Sequence, residues 1–306
     1  MKHFLSIADA TTEELKHILA VSKKLRDERD AGKANKPVLA GKTLAMLFEK
    51  PSLRTRVSFE QAMIELGGHS IVMGQEVGLG KREAVSDVAK VLGGMVHGIA
   101  ARVFEHQKLI DFAAYAGVPV VNMLSDLSHP CQALADLMTI QDEFGADLAG
   151  RSVAFIGDGN NVAYSVAVLC GRLGVRFVLA SPDGYAFSEQ AKKQIMAGAP
   201  QLEMEITEDP IEAVKGVDAV FTDTFTSMGQ EAEKETRLKA FKGYQVNEGL
   251  LAHAADHAIV LHCLPAYRGV EITDEVMDGP RSRVFPEAHN RLHAQKGLLA
   301  VLMGGM

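Results

Sequence analysis

The chain has 306 residues, 47% of them hydrophobic, and a formal net charge of −7. This length exceeds that of a typical single domain and indicates two domains of roughly 150 residues each. Because the charge balance is acidic, it argues against a nucleic acid or an acidic membrane surface as partner. Any anion site must therefore be a local cluster of arginines, a pattern typical of small-molecule binding.

The cysteines and the apolar segments indicate the compartment. Cys131, Cys170 and Cys263 are odd in number and form no Cys-x-x-Cys pair, which favours a reducing cytoplasm over a disulfide scaffold. No apolar run approaches the roughly 20 residues needed to span a bilayer, and the first residues lack the apolar core of a signal peptide. We expect a cytoplasmic protein without a membrane partner.

In chain order, short apolar strands alternate with amphipathic helices. A first helix begins at Thr11, with Glu14 in capping-box spacing. Strands are then predicted at Thr43–Phe48, His69–Met73, Gly98–Phe104 and Val118–Met123, and helices at Ser52–Gly67, Val85–Met95, Lys108–Gly117 and Cys131–Phe144. The inward stripe of the helix that begins at Ser52 is predicted to comprise Val57, Ala62, Met63 and Leu66.

The second half repeats this alternation. Its strands are predicted at Ser152–Ile156, Arg176–Ala180, Met204–Ile206, Ala219–Thr222 and Ala258–Leu261, and its clearest helices at Val162–Leu173 and Glu287–Met303. Such alternation predicts the α/β class, with two doubly wound parallel-sheet domains and an interdomain cleft. The boundary is predicted at Gly145–Gly150. Ligands of such sheets bind beyond the carboxyl ends of the strands, where the polar motifs of this chain cluster.

Ser52-Leu53-Arg54-Thr55-Arg56 stands where the strand Thr43–Phe48 gives way to a helix. A helix N-terminus attracts anions through its unpaired N–H groups and partial positive charge. Hydroxyls can donate to phosphate oxygens there, and arginine adds a fork of donors. A capped helix with solvated arginines explains the same residues, so this segment alone leaves anion binding open.

His129 and Gln132 flank Pro130, which presets a helix start after a strand. The histidine can donate to a carbonyl oxygen, and the glutamine can both donate to and accept from an amide. A buried histidine beside a polar helix cap is the alternative interpretation.

Two further polar turns follow strands in the second half. Asp158-Gly159-Asn160-Asn161 matches the dinucleotide fingerprint only weakly, because Val162 stands at the third glycine position. Its amides suit a carboxylate or an amino-acid backbone better. Asp223 can pair with an ammonium group and Ser227 can hold a second polar end, although a plain Asx-turn loop is the alternative.

His262-Cys263-Leu264-Pro265 ends the last strand. Cys263 could be a nucleophile, a ligand or a contact, and nothing local supplies the base and the acidified thiol of a catalytic cysteine. The pairs His253/His257 and His289/His293 have i,i+4 spacing but lack the glutamate of a His-Glu-x-x-His helix, so we interpret them as surface histidines. We predict no metal and no cofactor.

Taken in this order, the motifs resemble those of the aspartate/ornithine carbamoyltransferase family, and within it the ornithine enzymes. The family motifs Ser-Thr-Arg-Thr-Arg, His-Pro-x-Gln, Asp-Gly-Asn-Asn, Asp-x-x-x-Ser-Met-Gly, His-Cys-Leu-Pro and Glu-Asn-Arg correspond here to Ser52–Arg56, His129–Gln132, Asp158–Asn161, Asp223–Gly229, His262–Pro265 and His289–Arg291. The similarity covers the whole chain. The Ser-Met-Gly loop with His-Cys-Leu-Pro separates the ornithine enzymes from the aspartate enzymes.

The resemblance implies transfer of the carbamoyl group of carbamoyl phosphate to the δ-amine of L-ornithine, giving L-citrulline and phosphate in arginine biosynthesis. It implies that residues 1–144 bind carbamoyl phosphate, that residues 145–286 bind ornithine, and that a C-terminal helix, 287–306, packs back on the first domain. It also implies a homotrimer, sometimes assembled further.

The resemblance also assigns the site residues. Carbamoyl phosphate would be bound by Ser52, Leu53, Arg54, Thr55, Arg102, His129, Gln132, Cys263, Leu264 and Arg291. The catalytic residues among these would be Arg102, His129, Cys263 and Arg291. Ornithine would be bound by Asn161, Asp223, Ser227 and Met228.

Three positions depart from the family pattern. Leu53 replaces a threonine, which removes one hydroxyl donor but leaves the backbone N–H. Gly78 stands where a glutamine normally reaches the phosphate site of a neighbouring subunit, with Lys81 and Arg82 close by. His289 replaces the glutamate before Asn290-Arg291.

Three alternatives remain open from the sequence. A carbamoyltransferase could act on a modified acceptor such as acetylornithine or putrescine. A non-catalytic relative could bind the anion without turnover, because of Leu53 and Gly78. A nicotinamide-dependent oxidoreductase is the third alternative, and the weak glycine fingerprint argues against it.

Overall fold

A computed structural model describes residues 1–226 and 231–306 of the chain. Within these ranges the backbone contacts divide into two compact units. Unit 1 comprises residues 1–138 and 289–306, and unit 2 comprises residues 139–288.

Unit 1 is built on a parallel sheet. The elements in chain order are α1 (Thr12–Asp30), β1 (Thr43–Phe48), α2 (Leu53–Glu65), β2 (His69–Met73), α3 (Val85–Gly93), β3 (Gly98–Arg102), α4 (His106–Tyr115), β4 (Val120–Leu124) and α5 (Pro130–Phe144), the last of which continues into unit 2. The strand order is β2-β1-β3-β4. The chain adds β2 on one side of β1 and then β3 and β4 on the other side, so the strand order reverses between β1 and β3. The N-terminal segment extends the sheet, because Phe4 forms a parallel bridge with Val121.

Unit 2 repeats this arrangement with five strands. Its elements are β5 (Ser152–Ile156), α6 (Asn161–Leu173), β6 (Arg176–Ala180), α7 (Glu189–Gly198), β7 (Met204–Thr207), α8 (Pro210–Val214), β8 (Ala219–Thr222), α9 (Lys234–Ala240), α10 (Glu248–Leu251), β9 (Ile259–His262), α11 (Asp274–Met277) and α12 (Val284–Gly304), the last of which continues into unit 1. The strands pair in the order β7-β6-β5-β8-β9, all parallel. The reversal here falls between β5 and β8.

This architecture confirms the predicted α/β class with two parallel-sheet domains. The fully buried apolar residues of β1, β3, β5 and β8 explain why these strands read as continuous apolar runs. Each helix among the described residues is either too short or too polar to span a bilayer.

One predicted inward residue of α2 is wrong. The side chain of Val57 is 55% exposed, whereas Ala62, Met63 and Leu66 are fully buried. Successive helical residues are about 100° apart, so Val57 lies half a turn away from Leu66, nine residues later. The buried stripe includes Thr55 and Phe59 instead.

The interpretation of the four paired histidines as surface residues also needs a correction. His253, His257 and His289 are exposed, but His293 is only 6% exposed. Burial, together with the nearby charges of Lys296 and Arg26, lowers the pKa of His293 to about 4. His293 is therefore neutral at physiological pH and belongs to the packing between α12 and α1.

Candidate active site

The Ser52–Arg56 motif lies close to Arg102, at the carboxyl ends of β1 and β3. Phe48, the last residue of β1, pairs with Arg102, the last residue of β3. The chain leaves β1 and enters α2 four residues later, with Ser52 as its N-cap. A reversal of strand order opens a crevice at the carboxyl ends of the strands, which is where ligands of such sheets bind.

The start of α2 is organised by its two hydroxyl residues. Ser52 Oγ accepts from Thr55 N–H at 3.4 Å and donates to Thr55 Oγ1 at 3.0 Å. Arg54 is half-buried in the same turn, whereas the side chain of Leu53 is 74% exposed. Backbone N–H groups of the first helical turn lack partners within the helix, so this turn offers both backbone and side-chain donors to an anion.

Two arginines and one histidine are buried together in unit 1. Arg102, His129 and Arg291 are 7%, 5% and 3% exposed. Burial, and then the charges of Arg291 and Arg102, hold the pKa of His129 well below its ordinary value. His129 is therefore neutral near pH 7, so it can donate a hydrogen bond from one ring nitrogen without adding a third positive charge.

Arg291 connects α12 to both predicted binding motifs of unit 1. Its Nη1 donates to Gln132 Oε1 at 2.6 Å, and its Nη2 donates to Thr55 Oγ1 at 3.2 Å. The amide of Gln132 in turn donates from Nε2 to Asp136 Oδ1 at 2.8 Å. Arg291, Gln132 and Thr55, which the resemblance implies as carbamoyl phosphate ligands, thus form one hydrogen-bonded group, and Asp136, which was not predicted, joins it.

A second residue that the sequence reasoning missed is Asn122, in the middle of β4. Its Nδ2 donates to Ser128 O at 3.2 Å and to Leu5 O at 2.8 Å, and it also lies 3.2 Å from Ser125 Oγ. These contacts fix the turn that precedes His129. A buried asparagine in an apolar strand is the signal that could have identified it, because buried amides are almost always hydrogen-bonded.

In unit 2 the corresponding end of the sheet carries two of the predicted ornithine residues, Asn161 and Asp223. Thr222, the last residue of β8, pairs with Ile156 of β5 on one side and with His262 of β9 on the other. This register places the next residues, Asp223 and Cys263, side by side at the carboxyl ends of the strands.

The carboxylate of Asp223 has partners on both sides. Its Oδ2 accepts from Asn160 Nδ2 at 2.9 Å, and its Oδ1 accepts from Thr224 N–H at 2.8 Å and from the Cys263 thiol at 3.2 Å. Asp223 is 7% exposed, so its negative charge is held in a largely desolvated place. Asn160 also caps α6, at whose first position Asn161 lies.

Gly159 of the same turn is required by packing. A Cβ atom built there would lie 2.6 Å from the backbone nitrogen of Phe187, which cannot yield as a flexible side chain could. The Asp-Gly-Asn-Asn motif is therefore fixed by close approach of two backbone segments, as well as by its amides.

His262 supports the turn that contains Cys263. Its Nδ1 accepts from Leu264 N–H at 2.9 Å, so its proton is on Nε2, which donates to Glu271 Oε1 at 3.1 Å. His262 and Glu271 are both fully buried. Leu264 has a φ of +56° and precedes a cis proline, so this buried pair holds an uncommon backbone shape.

The ligating atoms of Asp223, His262 and Cys263 all lie within 4.8 Å of one another. A carboxylate, an imidazole and a thiol are typical ligands of zinc. Both ring nitrogens of His262 are engaged in hydrogen bonds, so a cation would have to displace one of them.

The structure therefore groups most predicted residues within each unit. In unit 1 these are Ser52, Thr55, Gln132 and Arg291, joined by hydrogen bonds, together with His129, on which the charges of Arg291 and Arg102 both act. In unit 2 Asp223 contacts Cys263, followed by Leu264, whereas Asn161 lies beside Asn160. Ser227 and Met228 lie outside the described residues.

Comparison with known proteins bears on this geometry. The carbamoyl-P binding domain of aspartate/ornithine carbamoyltransferase matches residues 2–142, and the Asp/Orn binding domain matches residues 149–302. The chain is 48% identical to the ornithine carbamoyltransferase of Methanopyrus kandleri over 305 residues, 99% of this chain and 97% of that protein. The chain belongs to the aspartate/ornithine carbamoyltransferase family.

Pyrococcus furiosus provides both a sequence relative and a solved structure. Its protein named ornithine carbamoyltransferase, anabolic, is 47% identical over 308 residues, covering 100% of this chain and 97% of that protein. The structure titled ornithine carbamoyltransferase from that organism has a TM-score of 0.95 and covers 100% of this chain and 98% of its own. The two-unit α/β architecture is therefore that of the carbamoyltransferase family.

Two of the positions that depart from the family pattern, Gly78 and His289, can be described from their backbone conformation and exposure. Gly78 has a φ of +63°, which a glutamine would adopt only with strain. The backbone shape of this turn therefore suits the glycine that replaces the family's glutamine. His289 is exposed, and Asn290 beside it accepts from Arg26 Nη1 at 2.9 Å. With His289 at this position, Arg291 contacts both Gln132 and Thr55.

Proposed function

We propose that this chain is an ornithine carbamoyltransferase, which moves the carbamoyl group from carbamoyl phosphate to the δ-amine of L-ornithine. The products are L-citrulline and phosphate. The observation that carries the proposal is the buried group of Arg102, neutral His129 and Arg291 beside the N-terminus of α2, in a chain whose net charge is −7. Family membership and the names of the relatives support the same reaction.

In this proposal unit 1 binds carbamoyl phosphate. Ser52, Leu53 (through its N–H), Arg54 and Thr55 donate to the phosphate oxygens, and Arg102 bridges phosphate and carbonyl oxygen. Gln132 binds the carbamoyl amide, while His129 and Arg291 donate toward the carbonyl oxygen. Attack on the carbonyl builds negative charge on that oxygen, and fixed donors in a desolvated site stabilise that charge best.

Unit 2 binds ornithine in this proposal. Asp223 is the counter-ion of an ornithine ammonium group, and Asn161, Ser227 and the backbone of Met228 bind the amino-acid end. The attacking δ-amine must be neutral, and a site rich in arginine lowers an amine pKa by repulsion. The departing phosphate then accepts the proton that the amine loses, so no separate side-chain base is needed.

Cys263 is a contact in this mechanism and not a nucleophile. Its thiol donates to Asp223, which keeps the proton on sulfur, and the adjacent His262 accepts from the Leu264 N–H instead of from the thiol. A nucleophilic cysteine requires the thiolate and a base to form it. Cys263 and Leu264 therefore contribute shape to the reaction centre.

The decisive assay compares acceptors. We expect citrulline to form from carbamoyl phosphate and ornithine, with acetylornithine and putrescine at least 100-fold poorer in kcat/KM, because each lacks one of the charged ends that a polar site recognises. Product with acetylornithine or putrescine alone would assign the chain to a different acceptor. Phosphate binding without product from any acceptor would indicate a non-catalytic relative.

We expect Asp223→Asn to raise the KM for ornithine by about 10²-fold, because it removes a buried charge that pairs with an ammonium group. The KM for carbamoyl phosphate should change less than threefold. Steady-state kinetics with each substrate varied in turn measures both. Equal effects on the two substrates would contradict the assignment of Asp223 to ornithine.

We expect Cys263→Ala to retain measurable turnover, within about 10- to 100-fold of the native enzyme, since it loses one thiol hydrogen bond and some packing. Single-turnover assays with labelled carbamoyl phosphate, quenched in acid, would detect any acyl-thiol adduct. Complete loss of activity together with such an adduct in the native enzyme would contradict direct transfer.

We further propose that the chain forms a homotrimer through unit 1. Leu53, Val57 and Ile64 form an exposed apolar stripe along one face of α2, and Ile71 is exposed on β2, the edge strand beside it. Together with the family resemblance, this apolar surface supports self-association. Light scattering should give about three times the chain mass of 33.0 kDa, and a monomer at micromolar concentration would contradict the proposal.

The same proposal places the reaction in arginine biosynthesis in the cytoplasm. The relative named anabolic supports the direction, and three free cysteines, two of them buried, suit a reducing compartment. Restoring growth without arginine to a cell that lacks its own ornithine carbamoyltransferase tests the direction.

A further inference from the structure

Asp136 lies behind Gln132 on α5, one helical turn further along. Gln132, Asp136 and Arg291 are 1%, 1% and 3% exposed, so all three polar groups are withdrawn from water. The two hydrogen bonds that join them are 2.6 Å (Arg291 Nη1 to Gln132 Oε1) and 2.8 Å (Gln132 Nε2 to Asp136 Oδ1).

The chemistry of the two neighbours fixes the orientation of the Gln132 amide. A guanidinium can only donate, so it requires the amide oxygen, and an ionised carboxylate can only accept, so it requires the amide NH₂. An amide turned the other way would place NH₂ against the guanidinium and oxygen against the carboxylate. The orientation therefore follows from the partners, without reliance on how nitrogen and oxygen are assigned.

This orientation matters for what Gln132 can recognise. An amide oxygen has two lone pairs, so Gln132 Oε1 in this orientation can accept from a substrate group as well as from Arg291. An acceptor suits the NH₂ of a carbamoyl group and does not suit a methyl group or a phosphate oxygen in its place. A site built to accept a hydrogen bond rejects a ligand that lacks the matching donor more strongly than a site that discriminates by shape alone.

We propose that Asp136 is a positioning residue that fixes the Gln132 amide so that the site selects a carboxamide on the phosphate-bearing substrate. This inference rests on the proposed function, because it deepens the recognition of carbamoyl phosphate. Asp136 acts through Gln132 and does not touch the substrate.

The test uses the full chain and two stable ligands, phosphonoacetamide, which carries a carboxamide, and inorganic phosphate, which does not. The measured quantity is the ratio of their dissociation constants. We expect Asp136→Asn to weaken phosphonoacetamide about tenfold and to change phosphate binding less than twofold, because an asparagine amide can donate as well as accept and no longer fixes the Gln132 amide. The KM for carbamoyl phosphate should rise in parallel.

A double-mutant cycle separates positioning from general structure. Gln132→Ala should lose the same tenfold selectivity, and Asp136→Asn added to it should lose no more, because the two residues act in series. Additive effects would overturn the proposal. If Asp136→Asn does not fold, Asp136→Ser reports the same ratio.

Asp218→Asn is the matched control. Asp218 is also a buried carboxylate, 8% exposed, and it accepts from Arg151 at 2.7 Å and from Ser152 N–H at 2.8 Å in unit 2. The Asp218→Asn variant should have a lower melting temperature, but the ratio of the dissociation constants of phosphonoacetamide and phosphate should be unchanged. A native protein that binds no phosphonoacetamide would overturn both this inference and the proposed function. Native selectivity that survives Asp136→Asn would overturn the inference alone.

Discussion

Arg54→Ala is expected to lower kcat/KM for carbamoyl phosphate by about 10²–10³-fold, the range observed when one preorganised donor is removed from a site of developing charge. Arg54 lies half-buried in the first turn of α2, between the helix-capping Ser52 and Thr55. Its guanidinium would donate charge-assisted hydrogen bonds to the phosphate in both the ground state and the transition state. We therefore expect both the KM for carbamoyl phosphate and the inhibition constant of inorganic phosphate to rise.

Arg56→Ala provides the matched control for this prediction. Arg56 belongs to the same helical turn, but it forms an i,i+4 ion pair with Glu60 at 3.4 Å and its side chain is 58% exposed. The same loss of charge, two residues away, should change kcat/KM less than threefold, because exposed pairs contribute little. If the two variants lose activity equally, the effect of Arg54 reflects net charge alone and its place in the phosphate site is wrong.

Most of the strands could be predicted from the sequence because they are apolar runs buried on both sides, whereas β2 is a partly exposed edge strand. β1, β2, β5, β6 and β8 have the bounds that their apolar runs predict. Once the sheets are parallel, the carboxyl ends of β8 and β9 must meet at one edge. The contact between Asp223 and Cys263 then follows from the pairing of β8 with β9 and from their register, which the structure supplies.

Other features depend on contacts between distant parts of the chain. Asp136 reads as an ordinary polar residue of a helix, and its role emerges only because Arg291, 159 residues after Gln132, fixes the other end of the amide. Of the adjacent Asn160 and Asn161, either could face Asp223 as far as the sequence tells, and packing selects Asn160. The prediction for Val57 was wrong because an apolar residue on an exposed helix face resembles a core residue in the sequence.

Glu65→Gln is expected to lower the free energy of unfolding by about 3–5 kcal/mol, the usual cost of leaving a buried charge without its partner. Lys296 of α12 is fully buried, and its ammonium contacts Glu65 Oε2 of α2 at 2.5 Å. It also donates to Asn35 Oδ1 at 2.6 Å, a neutral acceptor that cannot replace the lost charge. Chemical denaturation at pH 7 measures the loss.

Two comparisons decide whether the unpaired ammonium of Lys296 causes the loss of stability in Glu65→Gln. Lys296→Met combined with Glu65→Gln should be more stable than Glu65→Gln alone, since it removes the unpaired ammonium. Glu60→Gln, on the exposed face of α2, should cost only about 0.3–0.5 kcal/mol. A double variant less stable than Glu65→Gln alone would show that packing, and not charge, explains the loss.

The pH dependence of the unfolding free energy provides an independent test of the Glu65–Lys296 ion pair. Although burial raises it, hydrogen bonds from Gln61 and Lys296 and the charge of Lys296 together lower the pKa of Glu65 below its ordinary value of 4.5. A carboxylate with a depressed folded pKa stabilises the protein above its ordinary pKa, and this contribution is lost as the pH falls toward the folded pKa. The difference in stability between the native protein and Glu65→Gln should therefore be constant near neutral pH and shrink below about pH 4.5. A difference that stays constant down to pH 3 would mean that the ion pair does not hold α12, and with it Arg291, against α2.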